Sequence, residues 1–246
     1  MSHGGQSAGQ EGARQLTFTS PAVDPPRTPG SAIPLVELSA RRTPLVPSTV
    51  RSVSAAYGPA RLLSWSSDDG RRLETVRIVM TERGLRASGY LVVVGRHSFG
   101  ASYSVLCDAA GRTRRLTIHS DSSFTERGLS LTRTPGGPWL DGAGNSPPLP
   151  ELDFAFDIDL TASAFTNSLA IRRMGLHRRY GDESFVVAEV GVPDLAVGPI
   201  VHRYRTTAIT DSGAKITHDG PAGHHEITVD LEGFVVDLPH LSYRLR

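Results

Sequence analysis

The sequence predicts an all-β fold in which helix is scarce. From Leu62 onward, short runs rich in β-branched residues are separated by turn residues at close spacing, a pattern typical of sheet proteins. In the clearest runs apolar residues alternate with their neighbours, which places them on one face of a strand. Because the connections are short, we expect most neighbouring strands to be antiparallel.

The first 60 residues differ from the rest of the chain. Between Ser20 and Pro59 proline recurs at eight positions, and each proline removes a backbone donor and disfavours helix at the preceding residue. Residues 1–60 are therefore predicted to be a flexible extension rich in Pro, Ser, Gly and Arg. The alternative is an arm over the domain, anchored by Ile33–Val36. Residues 61–246 are predicted to form a single all-β domain.

Charge and cysteine content exclude several classes of protein. The lone Cys107 cannot form an intrachain disulfide, and a net charge of +1 offers no overall field for a polyanion. The sequence has no apolar run of the length that a signal peptide or a membrane-spanning helix needs. We therefore expect a cytoplasmic protein with no nucleic-acid partner and no transmembrane segment. The oligomeric state is left open.

Ten segments are interpreted as strands. Cys107 shares a face with Tyr103 and Val105, so it is interpreted as a small buried hydrophobe. In chain order the predicted strands are Glu74–Thr81, Gly89–Val94, Tyr103–Cys107, Arg114–His119, Leu129–Arg133, Leu152–Leu160, Ser184–Val192, Val201–Thr210, Glu226–Leu231 and Phe234–Leu238.

The segment Leu152–Leu160 alternates apolar residues with Asp153, Asp157 and Asp159, a period of two that suits a strand. The three aspartates should share one face, where they could pair across strands, bind a polar ligand or act as an acid and base. The next segment, Thr161–Met174, is ambiguous. Phe165 and Leu169 have helical spacing after a Thr161 cap, but Thr, Asn and Ser are mediocre helix formers.

Other polar and aromatic candidates carry weaker signals. His218–His225 gathers three imidazoles and a carboxylate, but the spacing matches no established zinc pattern, so a solvated turn is favoured over a metal site. Trp65 and Trp139 could stack on sugar rings or cover the core. The sequence contains no nucleophile elbow and no phosphate-binding loop. We therefore predict no catalytic residue, no metal and no cofactor.

Several motifs in order along the chain carry a family resemblance. The string from Leu152 to Leu160, with Asp-Ile-Asp-Leu at its end, precedes Phe165–Met174, and further motifs lie at Trp65, Tyr103–Asp108 with Arg112–Arg115, Gly137–Trp139, Val192–Leu195 and Gly233–Pro239. From Leu62 to Arg246 the chain resembles the putative glycolipid-binding family of bacterial proteins, once classed as a domain of unknown function.

The resemblance implies a long antiparallel sheet curled into an open barrel or roll, similar in shape to bacterial carriers of lipids and lipoproteins. It also implies that Thr161–Met174 is extended or irregular, because the family has prolines where this chain has Ala164 and Ala170. Phe154 and Ala155 replace the family's usual Gly-Cys, so no cysteine role is carried over.

The leading hypothesis is a non-enzymatic protein whose curled sheet encloses a glycolipid or another amphiphile. Its ligand-binding residues are predicted to be Asp157, Asp159, Asn167, Arg172 and Arg173, which suit sugar hydroxyls and anionic head groups. The alternative for these five residues is a buried network that holds the irregular segment on the sheet. Alternative functions are a hydrolase of a glycan or ester using paired aspartates, and a protein-interaction scaffold.

Overall fold

The computed structural model describes residues 59–147, 149–221 and 223–246, which include 14 strands in one curled, unclosed sheet. The predicted all-β fold is confirmed. The predicted extension lies outside the described residues apart from its last two. In chain order the strands are β1 (Arg61–Ser66), β2 (Arg72–Thr81), β3 (Gly84–Val93), β4 (Phe99–Asp108), β5 (Thr113–Ser122), β6 (Glu126–Arg133), β7 (Trp139–Leu140), β8 (Asp157–Leu160), β9 (Asp182–Gly191), β10 (Ala196–Thr210), β11 (Gly213–Gly220), β12 (Gly223–Asp230), β13 (Val235–Leu238) and β14 (Ser242–Arg244).

The sheet consists of two meanders that meet at β1 and β14. Its strand order is β7-β6-β5-β4-β3-β2-β1-β14-β13-β12-β11-β10-β9-β8. All of these neighbours are antiparallel except β8 and β9, which run parallel. A parallel pair needs a crossover, and residues 161–181, which contain helix α1 (Phe165–Met174), form it.

Two local predictions are wrong. The first half of the predicted strand Leu152–Leu160 is instead a 3-10 helix, Pro150–Phe154, and only Asp157–Leu160 joins the sheet. The segment expected to be extended contains α1. The family's prolines do not occur here: Ala164 precedes the helix and Ala170 lies inside it, and alanine is the best helix former.

Helix α1 packs against the concave side of the sheet and fills it. Residues from Phe165 to Ile171 are all buried. The Phe165 ring lies 6.4–6.5 Å, centroid to centroid, from the rings of Trp65, Tyr103 and Phe234. The expectation of a hollow sheet that encloses a lipid is therefore wrong for the described residues, because the helix occupies that space.

A buried glutamate on β2 positions the start of α1. The residue before the helix, Ala164, has no side-chain cap, and Glu74 takes that role by accepting the backbone N–H groups of Ala164 and Phe165 at 2.8 and 3.2 Å. Ser163 and Tyr103 donate their hydroxyls to its other oxygen at 2.5 Å. Burial raises the pKa of Glu74, and these four donors oppose that effect.

Candidate functional site

Two of the three aspartates predicted to share a face do so. On β8, Asp157 is paired in register with Val187 and Asp159 with Glu189, both on β9. Asp157 and Asp159 both contact side chains of α1, so they lie on the concave face. Asp153 is part of the 3-10 helix instead.

Asp157 forms a buried ion pair with Arg173. The guanidinium donates to both carboxylate oxygens, with Nε at 2.8 and 3.0 Å and Nη2 at 2.6 Å. Arg173 also lies 5.1 Å from the Phe185 ring. Burial raises the pKa of Asp157, and Arg173 opposes that effect. Both charges are satisfied internally, so this pair is suited to joining α1 to the sheet.

Arg172 lies on another side of α1 and contacts the turn between β12 and β13 and strand β2. Its guanidinium donates to the Glu232 carbonyl, contacts Met80 Sδ at 3.0 Å and lies 4.4 Å from the Phe234 ring. With Arg173, Leu169 and residues 108–111 it lines a cavity of about 300 Å³, here called the Arg172 pocket.

Asp159 has no basic partner within ion-pair distance among the described residues. The Thr166 hydroxyl donates to its Oδ1 at 2.6 Å. Burial raises the pKa of Asp159 to about 7, a shift that Thr166 opposes and that the neighbouring carboxylates of Glu189 and Glu74 reinforce. Its side chain is therefore a polar group with unused bonding capacity.

Asn167 belongs to a chain of polar side chains that continues into β10. The Tyr204 hydroxyl donates to Asn167 Oδ1 at 2.9 Å, and His202 Nδ1 lies 3.3 Å from the same hydroxyl. His218 on β11 stacks on Tyr204 with ring centroids 4.5 Å apart. Burial lowers the pKa of His202 to about 4 and that of His218 to about 3, so both rings are neutral at pH 7.

A second cavity opens beside Asp159 and Asn167. It measures about 170 Å³ and is here called the Asn167 pocket. One part of its wall is polar and another part is apolar, so it can contact both ends of an amphiphile. Its lining residues are Asp159, Leu160, Thr161, Ser163, Asn167, His218, His225, Leu238, Pro239, His240 and Leu241.

The structure divides the five predicted ligand residues between two places. Asp159 and Asn167 line the Asn167 pocket, whereas Arg172 and Arg173 line the Arg172 pocket and Asp157 is bound to Arg173. Ligand binding by these residues remains a prediction.

Sequence reasoning missed two other polar groups near Asp159, which are Glu189 and His202, and it assigned His218 to a separate turn. Their strands lie next to one another or close together in the sheet, but β9 to β11 are separated from β8 along the chain by the α1 crossover. The alternation of His202, Tyr204 and Thr206 within a predicted strand was the one local signal that these side chains share a face.

The remaining sequence candidates are structural. Trp65 and Trp139 are buried and donate their indole N–H groups to the carbonyls of Val235 and Ala155, so neither offers a ring face to a sugar. Cys107 is buried, as predicted. The histidine segment is the turn between β11 and β12, as favoured from the sequence: His224 is exposed there, whereas His218 is buried on β11.

Comparison with known proteins gives two matches. The profile of a protein family described as putative glycolipid-binding matches residues 62–244. A crystal structure of a DUF1089 family protein from Pseudomonas aeruginosa superimposes with a TM-score of 0.61 at 26% identity, covering 78% of this chain and 100% of that one. No curated protein matches the chain. None of the helices in the described residues has the length and apolar character to cross a membrane.

Proposed function

Because this chain belongs to the putative glycolipid-binding family, we propose that it binds the polar head of a glycolipid or a related amphiphile in the Asn167 pocket, without catalysing a reaction. The mixed lining of that pocket supports the proposal most directly. Asp159 and Asn167 present oxygen and nitrogen atoms that match sugar hydroxyls, while Leu238, Pro239 and Leu241 form an apolar side.

The size of the Asn167 pocket limits what it can hold. Pockets that enclose drug-sized ligands usually measure about 300–1,000 Å³, whereas this one measures about 170 Å³. Helix α1 fills the interior where an acyl chain would otherwise lie. The proposed mode is therefore recognition of a head group, with the acyl chains remaining outside the protein in a membrane or micelle.

Vesicle flotation tests this mode with a defined probe. Full-length protein is mixed with phosphatidylcholine vesicles that contain or lack a monohexosyl diacylglycerol. We expect the protein to float only with the glycolipid vesicles. Asn167→Leu should weaken that binding about tenfold, because neutral hydrogen bonds contribute about 0.5–1.5 kcal/mol each.

Two further variants make the flotation result interpretable. Asn145 is an exposed asparagine in the loop after β7 and does not line the Asn167 pocket. The Asn145→Leu variant should therefore bind as the wild type does. Pro239→Arg places a large charge at the pocket wall without altering the Asn167–Tyr204 bond and should also reduce binding. Equal flotation with both vesicle types, or unchanged flotation of both pocket variants, would refute the proposal.

Hydrolysis of the same head group is a second candidate, favoured by the carboxylate of Glu189 near that of Asp159. The aspartate pair expected from the sequence is not available, because Asp157 is bound to Arg173. Mass spectrometry of the lipid recovered after flotation distinguishes the two functions. Release of free sugar by the wild type but not by Glu189→Gln would support a hydrolase. Recovery of intact glycolipid supports binding alone.

A further inference from the structure

Three side chains that could ligate a metal converge beside the Asn167 pocket. Asp159, Glu189 and His202 lie on the consecutive strands β8, β9 and β10, and one potential ligand atom from each lies within 4.8 Å of the other two. This cluster does not include the histidine hairpin that the sequence singled out. Here it is called the Asp159 cluster.

The hydrogen bonds around His202 determine which of its nitrogens is available. The Tyr204 hydroxyl donates its hydrogen bond to Asn167 Oδ1, so toward His202 Nδ1 it can act only as an acceptor. Nδ1 therefore carries the hydrogen, and Nε2 of the neutral ring has a free lone pair. Metal-binding histidines are commonly oriented in this way by a hydrogen bond to the other nitrogen.

Among the described residues, no group donates a hydrogen bond to that lone pair. His202 is 2% exposed, and its Nε2 has no hydrogen-bond partner among the described residues. A buried polar atom without a partner is costly and calls for an explanation such as a bound ion. The edge contact with the His218 ring, at 4.7 Å between centroids, does not supply a hydrogen bond.

The two carboxylates of the Asp159 cluster also lack a counter-charge. No arginine or lysine of the described residues lies within ion-pair distance of Asp159 or Glu189, although the chain forms such pairs at Asp108, Asp157 and Asp230. Thr166 holds Asp159 Oδ1, and Oδ2 remains for another partner. A cation between the carboxylates would remove their repulsion.

We propose that Asp159, Glu189 and His202 bind one divalent transition-metal cation, with Zn²⁺ the best match. One imidazole nitrogen and two carboxylate oxygens are ligands that Zn²⁺ accepts, and the imidazole disfavours Mg²⁺ and Ca²⁺. Three protein ligands leave a fourth position for water or a ligand atom. Asp159 also lines the Asn167 pocket, so that position is next to the proposed head-group site. The ion site does not depend on lipid binding.

The test uses chelator-treated full-length protein and Zn²⁺ alone. Titration calorimetry, with metal analysis after desalting, should show one Zn²⁺ per chain and much weaker binding of Mg²⁺ and Ca²⁺. Glu189→Gln and His202→Gln should each lower Zn²⁺ affinity at least tenfold. Tyr204→Phe removes the positioning hydroxyl from His202 and should lower it roughly ten- to a hundredfold. Co²⁺ substitution should give a visible absorption spectrum that changes in His202→Gln.

Matched controls exclude other sites and misfolding. Glu183 lies on the same strand as Glu189, and the Glu183→Gln variant should bind Zn²⁺ as the wild type does. His224→Gln alters the exposed end of the histidine hairpin and should also have no effect. Circular dichroism checks that each variant folds, and the partly exposed Glu189 is the safest to change. The proposal would be overturned if the wild type bound no Zn²⁺, if Glu189→Gln and His202→Gln both bound it as tightly as the wild type, or if only His224→Gln lost binding.

Discussion

Asp157 and Asp159 show how the surroundings of a carboxylate decide its chemistry. Both lie on β8 and face α1, but Asp157 is bound on both oxygens by Arg173. Asp159 receives one hydroxyl from the helix, and burial raises its pKa to about 7. The first carboxylate therefore joins helix and sheet, whereas the second remains available to a ligand or an ion.

Cys107 provides a prediction about pH. Burial raises the pKa of its thiol from 9.0 to about 12, so the folded state holds this proton more tightly than the unfolded state. The thiol's contribution to stability is complete below about pH 9 and is lost as the pH rises toward 12. Between about pH 7 and about pH 10, we expect the wild type to lose about 1.4 kcal/mol more unfolding free energy than Cys107→Ala.

Urea unfolding of both proteins at the two pH values measures this difference. Ionisation of the buried Tyr103 and Tyr204 affects both proteins and cancels in the comparison. Iodoacetamide should label Cys107 only after unfolding. An identical loss of stability in wild type and variant would show that the thiol does not resist ionisation in the folded protein.

At the scale of single elements, α1 depends on a residue 90 positions away in the chain. Glu74 replaces the missing side-chain cap and accepts four donors. Glycine at position 89 makes this arrangement possible, because a Cβ there would overlap the Tyr103 ring that reaches Glu74. The start of the helix is therefore determined by the sheet and not by a local capping residue.

Glu74→Gln tests this dependence. The amide turns one acceptor into a donor that faces other donors, so we expect the free energy of unfolding to fall by about 3 kcal/mol. Glu82→Gln, in the exposed turn between β2 and β3, is the matched control and should change stability by less than about 0.5 kcal/mol. Equal stability of the two variants in urea unfolding would contradict the capping role.

Single elements differ in how far local pattern predicts them. The alternation of Tyr103, Val105 and Cys107 predicts β4 correctly, because one face of the strand is buried and the other is less so. At Leu152–Leu160 the same alternation is misleading. Pro150 begins a 3-10 helix there, and Asp157 and Ile158 are both buried since α1 covers one side of β8.

On the scale of the whole molecule, the pairing of β1 with β14 joins the two meanders. Trp65 is opposite Arg244, and Ser66 is opposite Tyr243. Arg244 also forms an ion pair with Asp230 of β12 at 2.6 Å. Three residues near the end of the chain thus connect seven strands on one side to six on the other.

Removal of residues 242–246 should therefore separate the two halves of the sheet. The edges of β1 and β13 would be left unpaired, and unpaired edges promote aggregation. We expect thermal unfolding followed by circular dichroism to lose its single cooperative transition, and size-exclusion chromatography to show soluble aggregates. Removal of Arg246 alone, beyond β14, is the control. A cooperative, monodisperse truncated protein would contradict this role for β14.

The convex side of the sheet bears on the scaffold hypothesis. The exposed side chains of Val92, Leu73 and Tyr243 lie on β3, β2 and β14, and Tyr90 lies beside Val92 on β3. A row of exposed apolar side chains is a feature of interaction surfaces. The scaffold function remains a prediction.

The sequence alone determined the all-β class, most of the strands, the shared face of Asp157 and Asp159, and the burial of Cys107. These properties follow from a period of two that is local in the chain. Asp159 and Asn167, both assigned to a ligand site from sequence, lie at the same pocket because a short turn brings α1 back over β8.

Only the tertiary structure decided what fills the concave face and which polar groups meet there. Successive helical residues point about 100° apart, so Arg173 bonds to Asp157 on β8, whereas the adjacent Arg172 bonds to Glu232 in the turn between β12 and β13. Glu74 meets α1, and Glu189 and His202 meet Asp159, through strand order and packing. No local pattern encodes these contacts, because each depends on where the whole sheet curls.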